Sequence, residues 1–270
     1  MILDHARCQP GQPAVVPGHR PALGIAAHAV QQRLLAGVHQ AAQAAQVHLA
    51  DRGRGIERVD QGVPIAVDPR VLGITEEGVA LAIAAARAGQ TPVVIADHAD
   101  RTGNSTHILE ALIRQEANNF CIATIADKKC IDEIVAEAAI GESVTVDVGG
   151  YADRFAGKPV SIAGTVEYLG DYEHFDTIAV LRFGDNNRVI VTPQLHQVTT
   201  PEIFETLGID IAECDIISLK SRVHFRRGFH ETGLAGAIIE IDTPGLGPAD
   251  LTTLEYKNVP KDLYPIYRTE

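Results

Sequence analysis

A basic stretch follows a predicted buried strand in a chain whose formal net charge is -12. This stretch, residues 218–233, contains four side chains that could bind or react: Lys220, Ser221, His224 and Arg226. Side chains that directly follow a strand of an α/β sheet lie at the edge where such sheets bind ligands. Lys and Arg beside a hydroxyl and an imidazole suit recognition of a carboxylate or phosphate. A solvated loop that balances the acidic body is the alternative, and the residues alone leave both open.

A second candidate site lies in the sequence ADHADRTGNST, residues 96–106, between a predicted strand and a predicted helix. Asp97 and Asp100 could bind a cation or orient a polar group. The backbone amides near Ser105 and Thr106 form a helix N-terminus, which favours an anion. The spacing of a P-loop is missing. A capped loop whose acids face water remains the alternative interpretation.

Other groups of polar residues are weaker candidates for a functional site. Asp171, Glu173, His174 and Asp176 are residue types that bind metals, but their context predicts an exposed acidic turn without recognised ligand spacing. His196, in a strand-like run, is predicted to be a structural side chain. Neither an HExxH motif nor a GxSxG motif occurs, so neither the helix-borne zinc protease nor the serine elbow is indicated. The sequence by itself therefore predicts no metal site.

The elements that must position these residues alternate from residue 71 onward. Helices are predicted at 75–89, 104–117 and 128–141, and strands between them at 91–97 and 119–127. Four strand-like segments separated by Gly and Asn turns follow, then a short helix and two more strands. The predicted fold is α/β, with a strand-helix alternating parallel part and an antiparallel β-rich insertion.

Residues 1–70 differ in composition from the remainder of the chain. They contain no Lys, Ser, Thr, Asn, Phe or Tyr, although apolar spacing predicts a helix at 29–50. We therefore expect two parts: an atypical segment at 1–70, disordered or not native to the rest, and an α/β domain at 71–270. An altered start or reading frame is a further explanation for the first part.

Composition also restricts the partners of the chain. The acidic balance argues against binding to nucleic acid or to an anionic membrane, since both require a basic face. We see no signal peptide, and no apolar run approaches the roughly 18 to 20 residues that span a bilayer. The four cysteines contain no CxxC pair, which is typical of reduced thiols in a cytoplasmic protein.

Several ordered blocks resemble a known family. The segments VVIADHADRTGNSTHILEALI, CIATIAD, VDVGG, VIVTPQLHQVTTPEIFETLGID and DIISLKSRVHFRRGF are similar to the C-terminal domain of microcystinase C (MlrC)-like proteins. The ending DTPGLGPADLTTLEYKNVPKDLYPIY is similar as well. The resemblance covers about residues 74–267. The family often has a DNPGGG-type loop where this chain has DRTGNS, so a subgroup with a D-R-[ST]-G form is the nearer match.

The resemblance implies a zinc-dependent peptidase or amide hydrolase, whose named member cleaves linearised peptides derived from a cyclic toxin. It also implies that a larger N-terminal domain supplies the zinc ligands. Since residues 1–70 do not look like that domain, we expect the ligands to lie outside this chain and the chain to be inactive alone.

By the same resemblance, two blocks match family motifs and should converge at the sheet edge facing the metal domain. The expected substrate-binding residues are Lys220, Ser221, His224, Arg226, Asp97, Asp100, Ser105 and Thr106. The expected substrate is a small peptide or another molecule bearing a carboxylate. Two alternatives stay open: a non-catalytic module that binds small anions or peptides, and a truncated or frameshifted product. A homo-oligomer also stays open.

Overall fold

The computed structural model of this chain describes residues 71–72, 75–100, 102–260 and 263. The predicted atypical segment 1–70, with its predicted helix at 29–50, lies outside the described residues. Of residues 71 and 72, the backbone alone is described. None of the helices in the described ranges is long and apolar enough to cross a membrane.

Four α-helices and nine β-strands make up the regular structure of the described residues. The helices are α1 (Thr75–Arg87), α2 (His107–Arg114), α3 (Lys128–Glu137) and α4 (Glu202–Thr206). The first strands are β1 (Val71–Leu72), β2 (Val93–Asp97), β3 (Phe120–Ala126), β4 (Ser143–Val148) and β5 (Val160–Tyr172). The others are β6 (Phe175–Phe183), β7 (Asn187–Thr192), β8 (Ile216–Leu219) and β9 (Ala237–Ile241). One turn of π-helix, Arg226–His230, lies between β8 and β9.

All nine described strands join one sheet, in the order β1-β9-β2-β8-β3-β7-β6-β5-β4. The six strands from β1 to β7 in this order run parallel to one another. The remaining three continue the sheet in antiparallel fashion, and in the chain they are inserted between β3 and β7. The predicted α/β fold, with its parallel part and antiparallel β-rich insertion, is confirmed.

Both faces of the parallel part are covered, which explains why its strands are continuous apolar runs. Successive side chains of a strand point to opposite faces. On β2, Val93 and Ile95 accordingly pack in one apolar cluster with residues of α1, α2 and α3. Val94 packs in a second cluster with Phe204 of α4 and Phe229 of the π-helical turn. The sheet is therefore the middle of three layers.

The third predicted helix ends earlier than its apolar spacing indicates. The prediction extends it to Gly141, but α3 ends at Glu137, and Ala138 has extended backbone angles. The amide of Gly141 donates instead to the carbonyl of Val166 in β5. Pairing with the antiparallel strands therefore takes this segment out of the helix.

Five parallel strands have their carboxyl ends at the same edge of the sheet. Those ends are Asp97 of β2, Ala126 of β3, Thr192 of β7, Leu219 of β8 and Ile241 of β9. We call Asp97 and the described segments that follow the strands the rim: residues 97–100, 102–106, 127, 193–200, 220–225 and 242–254. Both predicted site blocks belong to this rim, because one follows β2 and the other follows β8.

Candidate functional site

The loop after β2 is organised around the carboxylate of Asp100. Its Oδ1 accepts a hydrogen bond from the amide of Gly103 at 2.9 Å, and its Oδ2 accepts one from the amide of Ser105 at 3.0 Å. The amide of Thr106 donates to the carbonyl of Ala156 at 3.0 Å. The sequence predicts an anion at these amides, and the chain supplies one itself, since Asp100 occupies the concavity.

Glycine is required at position 103 of this loop. Its φ of +71° lies in the left-handed region, where residues with a Cβ are rarely found. A Cβ at this position would lie 2.6 Å from Cδ1 of Leu195, which belongs to the loop after β7. The close approach therefore joins two segments of the rim.

Lys220, the first residue after β8, lies between the two aspartates. Its Nζ is 2.9 Å from Oδ2 of Asp100 and 3.7 Å from Oδ2 of Asp97, and it donates to the carbonyl of Ser105 at 2.9 Å. All three charged side chains are almost fully buried, at 3% exposure or less. We call Asp97, Lys220 and Asp100 the lysine triad. Its ammonium group is directed into the protein and holds the loop after β2.

The pKa values of the two carboxylates of the triad are shifted in opposite directions. Burial raises the pKa of Asp97, against the lowering effects of Lys220 and of the hydrogen bond from Thr243. Burial acts the same way on Asp100, but Lys220 and the hydrogen bonds from Ser105 and Thr102 outweigh it, so the pKa of Asp100 is lowered. Asp100 is therefore the firmly ionised partner of Lys220.

A second buried ionic cluster lies next to the triad, centred on Glu240 of β9. Its carboxylate pairs with the guanidinium of Arg226. Nε2 of His98 lies 3.6 Å from Oε2 of the same carboxylate. Glu240 is 3% exposed, so Arg226, a predicted substrate-binding residue, uses part of its charge inside the protein. Glu240 has no signal in the sequence as a site residue, because a single acid within an apolar strand belongs to no recognised motif.

Ser221 and His224 belong to the same predicted block but have different surroundings. The hydroxyl of Ser221 is buried and accepts hydrogen bonds from the amide of Phe225 at 3.3 Å and from Nε2 of Gln197 at 3.2 Å. The side chain of His224 is exposed. No hydrogen bond joins the two among the described residues, so this part of the chain does not form a Ser-His nucleophilic pair.

Thr106, also a predicted substrate-binding residue, uses its hydroxyl within the protein. The hydroxyl donates to the carbonyls of Ala156 and Lys158, at 3.2 and 2.7 Å. Asn104 extends this link, because its Nδ2 donates to the carbonyl of Ala126 at 2.6 Å and its Oδ1 accepts from the amide of Tyr151 at 2.7 Å. The loop after β2 is thus tied to β3 and to the segment after β4.

Two further groups of hydrogen bonds, accepted by the carboxylates of Asp97 and Asp127, were not predicted from the sequence. Thr243 donates its hydroxyl hydrogen to Oδ1 of Asp97 at 2.7 Å. Asp127 caps α3 by accepting the amide of Cys130 at 2.9 Å, and it also accepts the hydroxyl of Tyr151. An Asp between a strand and a helix is a typical N-cap signal, so Asp127 was within reach of the sequence, but the prediction assigned it to the strand.

Exposed apolar side chains are concentrated around the rim. Among the described residues, ten large apolar side chains are exposed. Five of them belong to the rim: Leu195, Val223, Leu246, Leu251 and Leu254. A sixth, Tyr151, is bonded to Asp127 and Asn104 of the rim. A rim with buried charge and apolar edges is typical of a surface that contacts a ligand or another protein body.

The acidic turn of the β5–β6 hairpin lies apart from these ionic clusters. Its polar side chains, Asp171, Glu173, His174 and Asp176, are exposed. In the part of the chain that the structure describes, no group of three or more His, Cys, Asp or Glu side chains is placed to hold a metal ion. His196 is half-buried and contacts this hairpin through its ring.

This geometry thus defines a class of protein: a three-layered α/β domain whose parallel strands end in an ionic rim. The family model of the MlrC C-terminus matches residues 95–258, which is more than half of the chain. The chain belongs to this family. Every predicted site residue lies within the matched range.

Two known proteins give the extent of the similarity. Microcystinase C from a Sphingomonas species is 23% identical over 156 residues, which cover 53% of this chain and 30% of that protein. The crystal structure of a candidate metallopeptidase from Mesorhizobium sp. BNC1 has a TM-score of 0.60 at 22% identity, covering 74% of this chain and 42% of its own. The chain spans less than half the length of either protein, and the second likeness shows a shared fold.

Proposed function

We propose that this chain contributes the substrate-binding edge of an MlrC-like peptidase or amide hydrolase. In this proposal the rim faces a metal-bearing domain and completes its site, and the chain by itself is inactive. The observation that carries it is the convergence of the two family blocks at one edge of the sheet. There the lysine triad connects the loop after β2 to the start of the loop after β8.

The lysine triad serves as the frame of this edge. Its three groups are buried and form ion pairs with one another, so they fix the backbone rather than meet a substrate directly. The exposed His224 and the partly exposed Arg226 are the predicted residues best placed to meet a substrate carboxylate. Ser221 supports the turn that presents them, because it bonds the amide of Phe225.

Zinc, which the family resemblance implies, does not fit the described residues. Asp97 and Asp100 are two neighbouring carboxylates, but the ammonium of Lys220 already lies within ion-pair distance of both. In our proposal the metal ligands therefore belong to another domain, and no catalytic step is assigned to this chain.

The apolar edges of the rim support docking of such a domain. Interfaces between protein bodies combine an apolar, fully buried core with aromatic and Arg anchors. Leu195, Val223 and Leu246 come from three different rim segments and are all exposed. An adjoining domain would cover them while leaving the polar side chains between them to hold the substrate.

Two measurements on the full chain test the proposal. N-acetyl-Ala-Ala-Ala with a free carboxylate, titrated into labelled protein, should shift amide resonances of the rim, and its C-terminal amide should bind more weakly. His224→Ala should reduce the affinity for the acid by about threefold to tenfold, as expected for one exposed charge contact. Val135→Ala, on an exposed position of α3, is the matched control and should change nothing.

Three outcomes would contradict the proposal. Resonance shifts confined to residues outside the rim would show that the binding edge lies elsewhere. Stoichiometric zinc that survives purification and dialysis would place a metal site in this chain, against the assignment of the ligands to another domain. Hydrolysis of the tripeptide by the purified chain alone would have the same meaning.

A further inference from the structure

His196 joins the turn of the β5–β6 hairpin, residues 172–175, to the rim loop at 193–200. Its imidazole meets the ring of Tyr172 edge-to-face, with centroids 5.6 Å apart and an interplanar angle of 90°. It meets Phe175 in the same manner, at 5.7 Å and 78°. Tyr172 and Phe175 are themselves buried, so the two strands of the hairpin hold the imidazole from two sides.

One carboxylate faces this imidazole, and it is shared. Oε2 of Glu173 lies 3.9 Å from Nδ1 of His196 and 3.8 Å from Nδ1 of His174. The side chain of His196 is 15% exposed, whereas that of His174 is 64% exposed. Glu173 itself is 46% exposed, so water screens its attraction for either imidazole.

The remaining titratable group in contact with His196 keeps its proton near neutrality. Burial, together with the charges of Glu173 and Glu202, raises the pKa of the Tyr172 hydroxyl to about 12. His196 is therefore the group of this contact that gains a charge as the pH falls, with Glu173 attracting and His174 repelling its charged form.

The residues on either side of His196 belong to the contacts of the rim. Leu195 lies against Gly103 of the loop after β2. The carbonyl of His196 accepts the hydroxyl of Thr124 at 3.1 Å, and Gln197 donates to Ser221 at 3.2 Å. Since adjacent residues share one backbone, release of the imidazole would loosen both of these neighbours at the rim.

We propose that the 172–175 turn clamps the rim loop at 193–200 through neutral His196, and that protonation of His196 releases the clamp. Its consequence for ligand binding rests on the proposed function of the rim, whereas the clamp itself does not.

The direction of the pH effect follows from burial. Desolvation lowers the pKa of His196 below its usual value of 6.5, and it exceeds the opposing attraction of Glu173. His196 therefore binds a proton less readily while it is in contact with Tyr172 and Phe175 than after the loop is released. The stability of this contact is fully present above pH 6.5 and is lost as the pH falls through the lower pKa of the closed form.

Amide hydrogen exchange of Asp127 and Phe225 tests the clamp, because both amides are hydrogen-bonded beside the rim loop. The first donates to the carbonyl of Thr192, and the second donates to the Ser221 hydroxyl that Gln197 contacts. Protection factors, corrected for intrinsic exchange, should fall about tenfold between about pH 8 and about pH 5, in step with the titration of the His196 ring. His196→Phe preserves an aromatic ring between Tyr172 and Phe175 but cannot be protonated, so its protection should not depend on pH. His174→Gln is the matched control and should retain the fall.

If the protection factors of the wild type do not change across this pH range, the clamp is contradicted. It is also contradicted if the protection factors of His196→Phe fall as those of the wild type do. If His196→Phe does not fold, as judged by its thermal unfolding, His196→Gln provides a second neutral variant with the same expected flat profile. A fall that disappears in His174→Gln would assign the proton to His174 and would also overturn the proposal.

Binding of N-acetyl-Ala-Ala-Ala separates the clamp from the function of the rim. A protein that shows the fall in protection but binds no tripeptide at any pH supports the clamp and contradicts the proposed function. A protein that binds the tripeptide while its protection stays flat contradicts the clamp alone. If both proposals hold, the affinity of the wild type should decrease at acid pH relative to that of His196→Phe, in which the clamp cannot be protonated.

Discussion

The rim and the antiparallel strands place charge in opposite ways. At the rim, Asp97, Lys220 and Asp100 are withdrawn from water, and Glu240 is buried beside them. In the antiparallel strands, Glu167 of β5 pairs with Arg188 of β7 at a partly exposed position. Both regions contain carboxylates bonded to cations, but a missing partner can be replaced by water in the second region alone.

This difference separates charge that specifies a site from charge that keeps a surface soluble. Burying ionised groups carries a desolvation penalty of several kcal/mol per ion, which the attraction between them offsets when the geometry is good. A fold that needed stability alone could use apolar side chains at these positions. Buried charge concentrated at one edge of the sheet is therefore an indication of function, whereas Glu167 and Arg188 carry no such indication.

The largest effect in this comparison is expected from Lys220→Met. The substitution retains the length of the side chain but leaves Asp97 and Asp100 buried without a cation. Breaking a buried ion pair in this way destabilises proteins by roughly 3 to 5 kcal/mol. Chemical denaturation monitored by circular dichroism measures the loss.

The matched control neutralises one acid at the same time. Asp97→Asn combined with Lys220→Met leaves a single buried carboxylate, so it should recover part of the lost stability. If Lys220→Met is as stable as the wild type, or if the double variant is less stable than Lys220→Met, the triad does not hold the rim in the way described here.

The lysine triad also shows where prediction from sequence succeeds and where it stops. Apolar spacing and turn residues predict the α/β fold, because the burial of one or both faces of a helix or strand determines the local spacing of its apolar residues. The positions of Asp97 at the end of one strand and of Lys220 directly after another likewise place them at one edge. Their burial depends on how β2 and β8 pair, which is a contact between distant parts of the chain and has no local signal.

For the same reason, the group bound at the predicted anion site could not be predicted from the sequence. Local pattern predicts that the amides around Ser105 attract an anion, and the structure agrees with the chemistry. It shows that the anion is Asp100, five residues earlier in the same loop. Local sequence cannot tell whether a carboxylate folds back onto such amides or faces water, because both conformations are compatible with the same turn residues.

A smaller loss is expected from Thr243→Val, which is nearly isosteric. It removes the hydroxyl that donates to Oδ1 of Asp97 but leaves Lys220 in place. Oδ1 of Asp97 keeps its longer bond from the amide of Ala99, at 3.3 Å, so the loss is that of one hydrogen bond to a buried carboxyl group. The free energy of unfolding should fall by about 1 to 3 kcal/mol. Thr145→Val, at an exposed position of β4, is the control and should be close to neutral. Equal effects of the two variants would contradict the special status of the rim.

The smallest effect is expected from Glu167→Gln in the antiparallel strands. Arg188 donates to both carboxylate oxygens of Glu167, at 2.6 and 3.0 Å, and Arg182 lies 3.8 Å from one of them. The side chains of Glu167, Arg188 and Arg182 are 32%, 17% and 50% exposed, so water can solvate the two guanidinium groups after the substitution. The loss should be about 1 kcal/mol or less and should shrink further in 1 M salt, where the Debye length is about 3 Å. If Glu167→Gln destabilised the protein as much as Lys220→Met, with as little dependence on salt, the two regions would use charge in the same way. Buried charge at the rim would then be no indication of function.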